Sequence, residues 1–210
     1  SLELYSYSAE EPNFDLPTVS ACDFKLDFQT MVAKIKTPWG DGVLTSNLLG
    51  RFNLSNLLAV VTILGIMQID LRDILGEIAK LNAVSGRMQV LGGGDKQPLV
   101  VIDYAHTPDA LEKALVSLRE YCRGVLWCIF GCGGNRDSSK RPVMGKIAEH
   151  FSDRLVITND NPCCENPKQI VDDILQGLLC PWAAEIEYDR RTAIVSAIRN
   201  AKVGDVILIA

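Results

Sequence analysis

A chain of 210 residues that is 48% hydrophobic holds enough apolar material for one or two ordinary cores, and its formal net charge of -5 gives no global pull toward nucleic acid or anionic lipid. No apolar run approaches the roughly 20 residues that span a bilayer, and the opening SLELYSYSAEEPNF lacks the basic start and apolar centre of a secretory signal. Seven cysteines with no C-x-x-C pair, beside only two histidines, read as reduced thiols of a cytoplasmic protein rather than disulfides or a zinc site.

In chain order, residues 24–36 (FKLDFQTMVAKIK) alternate as a strand, and PWGDGVLTSNLL reads as a turn at Gly40–Gly42 followed by a second strand. From Asn53, NLSNLLAVVTILGIM is apolar on most sides, which predicts a buried helix. Asp70 is placed to cap LRDILGEIAKL, an amphipathic helix, and GGGDKQP at 92–98 reads as flexible. The rhythm then changes. LVVIDYA (99–105), VLWCIFG (125–131), RLVITND (154–160), AEIEYD (184–189) and DVILIA (205–210) read as short strands. Helices alternate with them: TPDALEKALVSLREY with Thr107 as N-cap and Pro108 in its first turn, RPVMGKIAEHF, NPKQIVDDILQGLL and RRTAIVSAIRNA. Apolar strands alternating with helices specify a parallel sheet covered on both faces, so the second region is a doubly wound α/β domain. Both ends of the chain read as cut, since a terminal strand such as DVILIA would ordinarily feed a loop.

In such sheets ligands gather at the carboxyl ends of the strands. Those ends carry Asp103, Tyr104 and His106; then the glycine loop with Asn135 and Arg136; then Asn159, Asp160 and Asn161. The loop in IFGCGGNRDSSKRP (129–142) is not a nucleotide cradle. A phosphate loop needs G-x-x-x-x-G-K-[ST], and Gly131 to Lys140 does not fit; Gly145-Lys146 is followed by Ile147, which cannot ligate magnesium. The dinucleotide pattern G-x-G-x-x-G fails as well. Two readings stay open: a glycine turn that lets a helix approach the sheet, or a loop opened so that Arg136 grips a carboxylate through two parallel hydrogen bonds.

GRFNLSNLLAV, SGRMQVL, VVIDYAHTPDALEKAL, IFGCGGNRDSSKRPVMGKIAEHFSDRLVITNDNP and VDDILQGL together resemble the later half of the MurE-type Mur ligases. These ligases add the third peptide residue in peptidoglycan synthesis. The similarity runs from about Trp39 to Ala210. It implies that residues 1–86 are the C-terminal portion of the central ATP-binding domain and 87–210 a truncated C-terminal Rossmann-like domain with a mostly parallel sheet. The family's phosphate loop, its magnesium-binding carbamoylated lysine and its G-K-G-H-E segment are not in this sequence, so these 210 residues alone are expected to lack ligase activity.

The resemblance further implies the chemistry. The γ-phosphoryl group of ATP passes to the glutamate carboxylate of the UDP-linked dipeptide. The amine of the incoming amino acid then attacks the acyl phosphate, with a hinge between domains bringing the pieces together. By the same resemblance ATP meets Asn53 and Asn56 on the adenine side, Arg87 at the phosphates, and Asp103, Tyr104 and His106. For Asn53 or Asn56 alone a helix N-cap is an equal reading, and His106 is expected as an ATP contact, not a general base. Arg136, Asp160, Asn161, Pro162 and Cys163 match the positions that bind the amino acid. Members adding meso-diaminopimelate carry D-N-P-R, whereas this chain reads DNPCC, with Cys163 in the arginine's place. Lysine-adding members commonly show D-D-P-N, so diaminopimelate is the expected substrate, with lysine as the second candidate. Two further classes stay open: a folylpolyglutamate synthase-like ligase and a non-catalytic binding module. The protein is expected to act as a monomer on small molecules, with magnesium ligands mostly outside this chain and no nucleic-acid or membrane partner.

Overall fold

The computed structural model describes residues 3–9, 15–26, 30–94 and 96–210, which fold as two units, 1–83 and 84–210. The first is a four-stranded sheet of β1 (Ser6–Ser8), β2 (Thr18–Leu26), β3 (Met31–Thr37) and β4 (Gly40–Ser46) in that order, with α1 (Arg51–Ile66) and α2 (Leu71–Ile78) packed on it. Strand β3 shows the two-residue period: Met31, Ala33 and Ile35 are buried while Val32, Lys34 and Lys36 face out.

Residues 24–36 are not the single strand that their alternation predicts. Phe24–Leu26 end β2, Met31 opens β3, and the two strands run antiparallel with Leu26 opposite Met31. Alternation continues on both sides of the reversal, so the period alone does not reveal it; residues 27–29 of the expected strand lie outside the described residues. The next reversal also falls earlier than Gly40–Gly42. Thr37 pairs with Gly40, Thr37 Oγ1 donates to the Gly40 carbonyl at 2.7 Å, and it accepts from Trp39 N at 3.0 Å. Gly42 instead makes room for α2, because a Cβ there would lie 2.6 Å from Leu75 Cδ1. Helix α1 starts two residues before Asn53, with Gly50 at the N-cap, and buries Leu54, Leu57, Leu58 and Val61 on one face. Asp70 caps α2 as expected, accepting from Arg72 N at 2.8 Å.

The second unit is a six-stranded sheet in the order β5 (Gln89–Gly92), β6 (Leu99–Ile102), β10 (Val206–Ile209), β7 (Leu126–Phe130), β8 (Arg154–Ile157), β9 (Glu185–Ile186). All neighbours are parallel except β5 and β6. The sequence pattern does not predict β5; it reverses into β6 through Gly93 and Gly94, both at positive φ, with Gly93 N donating to Pro98 O. Strands β7 and β10 are buried along their whole length, which explains their unbroken apolar runs. The crossover helices are α3 (Pro108–Arg119), α4 (Lys140–Phe151), α5 (Pro167–Leu175) and α6 (Arg190–Asn200). Thr107, Asn166 and Asp189 cap α3, α5 and α6 through their side chains. Helix α5 ends at Leu175, four residues short of the predicted end; Gly177 beyond it meets the Pro142 carbonyl so closely that no side chain fits. At the amino ends of the strands Asp205 is buried and accepts from Val125 N and Lys202 N, and Asp153 accepts from Leu126 N. These bonds hold the base of the sheet and leave the loops at the opposite edge to carry the chemistry. No helix among the described residues is long and apolar enough to cross a membrane.

Candidate functional site

The carboxyl end of β6 organises one cluster. Asp103 N donates to Ile209 O at 3.0 Å, extending the β6–β10 pairing, and Asp103 Oδ2 accepts from Met88 N at 2.8 Å. Met88 is buried with φ 44, a conformation that a long side chain adopts only when held, and Gly86 on the other side of Arg87 has φ 73. Arg87 is thereby presented outward, its guanidinium 4.7 Å above the Tyr104 ring. Tyr104, 61% exposed, also lies 4.8 Å from the His106 ring, and His106 Nδ1 sits 2.9 Å from the Tyr104 carbonyl. With its proton on Nδ1, His106 donates there and offers Nε2 to a ligand. Arg87, Tyr104 and His106 thus form an exposed row of cation, aromatic face and imidazole, suited to a phosphate and a flat ring. Asp103 has one oxygen engaged by the backbone and anchors that row.

A second cluster forms where the loops after β7 and β8 meet. Its glycines are explained neither by a phosphate nor by a helix approaching the sheet, but by contact between two loops. A Cβ on Gly131 would collide with the Thr158 carbonyl and one on Gly134 with the Pro162 carbonyl, while Gly134 N donates to Asn161 O at 2.8 Å. Gly133 is less crowded: a Cβ there would lie 3.7 Å from Arg136 Cγ and 3.9 Å from Asp160 Oδ2. Asn135 turns the chain with φ 54 and donates its N–H to the Glu165 carboxylate. Arg136 is exposed, and its guanidinium has no hydrogen-bond or ion-pair partner among the described residues. Asp160, Asn161, Pro162 and Cys163 line the facing loop. Asn161 Oδ1 accepts from Cys163 N at 3.3 Å and lies 3.7 Å from its Sγ.

Beneath this loop pair lies Arg141, a residue that the sequence motifs leave without a role. Its side chain is only 3% exposed; its Nη1 is 2.8 Å from Asp173 Oδ2, and its Nη2 is 2.8 Å from Glu165 Oε2 and 3.3 Å from Gly133 O. Burial opposes the charge on Arg141, but its bonds to Asp173 and Glu165 outweigh that and raise its pKa. The same guanidinium, with Asn135 N–H at Glu165 and Gln169 at Asp173, holds both carboxyl groups below their ordinary range. The signal for Arg141 is present in the sequence. Arg141, Met144, Gly145 and Ala148 are the buried residues of α4, and their spacing puts Arg141 on the apolar face.

The remaining predicted residues, Asn53 and Asn56, lie in the first unit, one turn apart on α1. Asn53 Nδ2 donates to Leu49 O at 2.7 Å, and Asn56 Nδ2 donates to Asn53 Oδ1 at 3.4 Å. Neither is the N-cap, which is Gly50. Among the described residues no group of three or more His, Cys, Asp or Glu side chains is set to hold a metal ion.

The comparisons agree with this architecture. The family described as "Mur ligase, glutamate ligase domain" matches residues 86–210. Over its whole length the chain is 46% identical to the UDP-N-acetylmuramoyl-L-alanyl-D-glutamate--2,6-diaminopimelate ligase of Coxiella burnetii (strain RSA 493 / Nine Mile phase I), of which it covers 43%. Over 178 residues, 85% of the chain, it is 53% identical to the protein of the same name from Ectopseudomonas mendocina (strain ymp), covering 36% of that protein. The chain therefore spans less than half the length of these relatives. A solved structure of a UDP-N-acetylmuramoyl-L-alanyl-D-glutamate--2,6-diaminopimelate ligase matches with a TM-score of 0.67 at 35% identity, over 97% of this chain and 41% of that one. Folylpolyglutamate synthase of Mycobacterium tuberculosis matches with a TM-score of 0.68 at 18% identity, over 91% and 44%, and shares the fold alone. The chain belongs to the Mur ligase family, and residues 86–210 are its glutamate ligase domain.

Proposed function

We propose that the protein is the later part of an ATP-dependent amide ligase of the bacterial cytoplasm. It joins meso-diaminopimelate to the glutamate carboxylate of UDP-N-acetylmuramoyl-L-alanyl-D-glutamate through an acyl phosphate. In this reading residues 1–86 end the ATP-binding domain, with Asn53 and Asn56 toward adenine, and Arg87, Tyr104 and His106 contact ATP. Arg136 binds a carboxylate of the incoming amino acid and holds its amine against the acyl phosphate, where orientation supplies several kcal/mol of the barrier. Asp160, Asn161 and Pro162 form the facing wall of that pocket. Magnesium is expected with the ATP, and the described residues offer it no ligand cluster.

The observation that carries the reading is Arg136, unpaired among the described residues, on a loop tied to Asn161 by the 2.8 Å bond from Gly134. The names of the relatives that are 46% and 53% identical support diaminopimelate as the amino acid. Cys163 favours a second reading, lysine, because a thiol cannot form the bidentate pair that an arginine would give a distal carboxylate. Steady-state kinetics on the complete enzyme, varying ATP, diaminopimelate and lysine in turn, tests this. Arg136→Ala should raise the KM for the amino acid by one to two orders of magnitude, from loss of a charge-assisted bond worth about 1.5–3 kcal/mol, and leave the KM for ATP unchanged. Cys163→Arg should lower the KM for diaminopimelate and not for lysine. An Arg136→Ala enzyme impaired for ATP alone would make the glycine loop a phosphate site and refute the assignment.

A further inference from the structure

Pro162 to Glu165 form a tight turn closed by Glu165 N donating to Pro162 O at 3.0 Å, and its two central residues are Cys163 and Cys164, both exposed free thiols. In an extended strand adjacent side chains point to opposite faces, and two neighbouring thiols could not close on one atom. Here Cys163 has φ 50, which breaks that alternation at the tip of the turn. The turn is also fixed at both ends. Asn161 O accepts from Gly134 N, Asn161 Oδ1 accepts from Cys163 N, Glu165 is bound by Arg141, and Asn166 caps α5. Much of the entropy cost of ordering the two thiols is therefore met by the fold before any ligand arrives.

A disulfide does not suit the pair. Adjacent Cα atoms lie about 3.8 Å apart across a trans peptide, short of the roughly 4.4–6.8 Å that a disulfide spans, so that bond would be strained and readily reduced. A larger bridging atom with two open positions suits it better. The exposed thiols Cys22 and Cys180 have no adjacent cysteine, Cys128 is buried, and burial pushes the Cys132 thiol up to about 11.

We propose that Cys163 and Cys164 form a chelating dithiol site for trivalent, thiol-seeking arsenicals. With phenylarsine oxide the step is a condensation: two As–S bonds form, the As=O bond breaks, and the two thiol protons leave with the oxygen as water. Arsenic stays trivalent and no electron is transferred. The site adjoins the amino-acid pocket proposed above, but the condensation itself uses none of the groups assigned to ATP or to Arg136.

The test is titration of the reduced 210-residue chain with phenylarsine oxide in excess glutathione, followed by intact mass and peptide mapping. The expected result is one phenylarsenic group per chain, replacing two hydrogens, located on the peptide containing Cys163 and Cys164 and removed by a small dithiol. Because the second As–S bond is intramolecular, Cys163→Ser and Cys164→Ser should each weaken binding by about a hundredfold or more, while Cys22→Ser and Cys180→Ser leave it unchanged. Circular dichroism checks that the serine variants fold, and the peptide map of the unsubstituted chain reads the site without any variant. Arsenic mapped elsewhere, or binding lost with one of the two serines and kept with the other, overturns the proposal.

Discussion

Arg141 Nη2 lies 2.8 Å from Glu165 Oε2, and this pair joins the first turn of α4 to the loop after β8. The same guanidinium reaches Asp173 on α5 and the Gly133 carbonyl, so three segments share one buried cation. Arg136, five positions earlier in the chain, is exposed and unpaired among the described residues. The two arginines thus divide the work: one holds the loop, and the other is left free at its tip.

Replacing Arg141 with Met should destabilise the glutamate ligase domain by about 3 kcal/mol. That is the low end for breaking a buried pair, because Glu165 and Asp173 keep some contact with water, at 30% and 19% side-chain exposure. Arg141→Lys should recover less than half of the loss, since an ammonium cannot bridge three acceptors in a fork. Urea unfolding of the three proteins measures both differences.

The same pair sets an acid limit. Glu165 and Asp173 have folded-state pKa values depressed by Arg141, so their contribution is present above the ordinary carboxylate range and is lost as pH falls through the depressed values. The stability difference between the natural chain and Arg141→Met should stay level from pH 7 to about 5 and shrink below about pH 4. A pH series of urea midpoints checks this; a difference that grew in acid would reverse the assignment.

Two glycines should respond oppositely to alanine. At Gly134 the added methyl meets the Pro162 carbonyl, and Gly134→Ala should cost about 1–3 kcal/mol by forcing the loops apart. At Gly76, exposed within α2 with nothing within 4 Å of the new Cβ, alanine should stabilise by about 0.5–1 kcal/mol. Thermal melts of the two variants separate a glycine needed for close approach from one that is not.

Asp103→Ala should free the Met88 N–H and loosen the chain from Gly86 to Gln89, with the Arg87–Tyr104 stack lost as a consequence. Amide exchange at Met88 should accelerate, and Asp103→Asn, which keeps an acceptor oxygen, should restore much of the protection.

Much of this fold rests on relations between residues a few positions apart, and those are legible in the sequence. Asp70 and Thr107, read as caps from the sequence, bond two and three residues ahead. Asn166 and Asp189 do the same, although the pattern 184–189 reads as a strand and Asp189 instead lies beyond β9 as the cap of α6. The apolar strands alternating with helices required a parallel sheet, and the motifs at its strand ends carried the family. The chain's own pattern also held the spacing that buries Arg141. Tertiary structure decided the rest. It divided residues 24–36 between two strands, because alternation has the same period on both sides of a turn. Likewise it set β10 between β6 and β7, where chain order would have left it at an edge. The glycines at 131 and 134 acquired their reason only when the β8 loop came to lie against them, and Arg141 its partners only when α5 did. Such contacts join residues far apart in the chain, and they depend on how packed elements bring backbone to backbone, which no local period encodes.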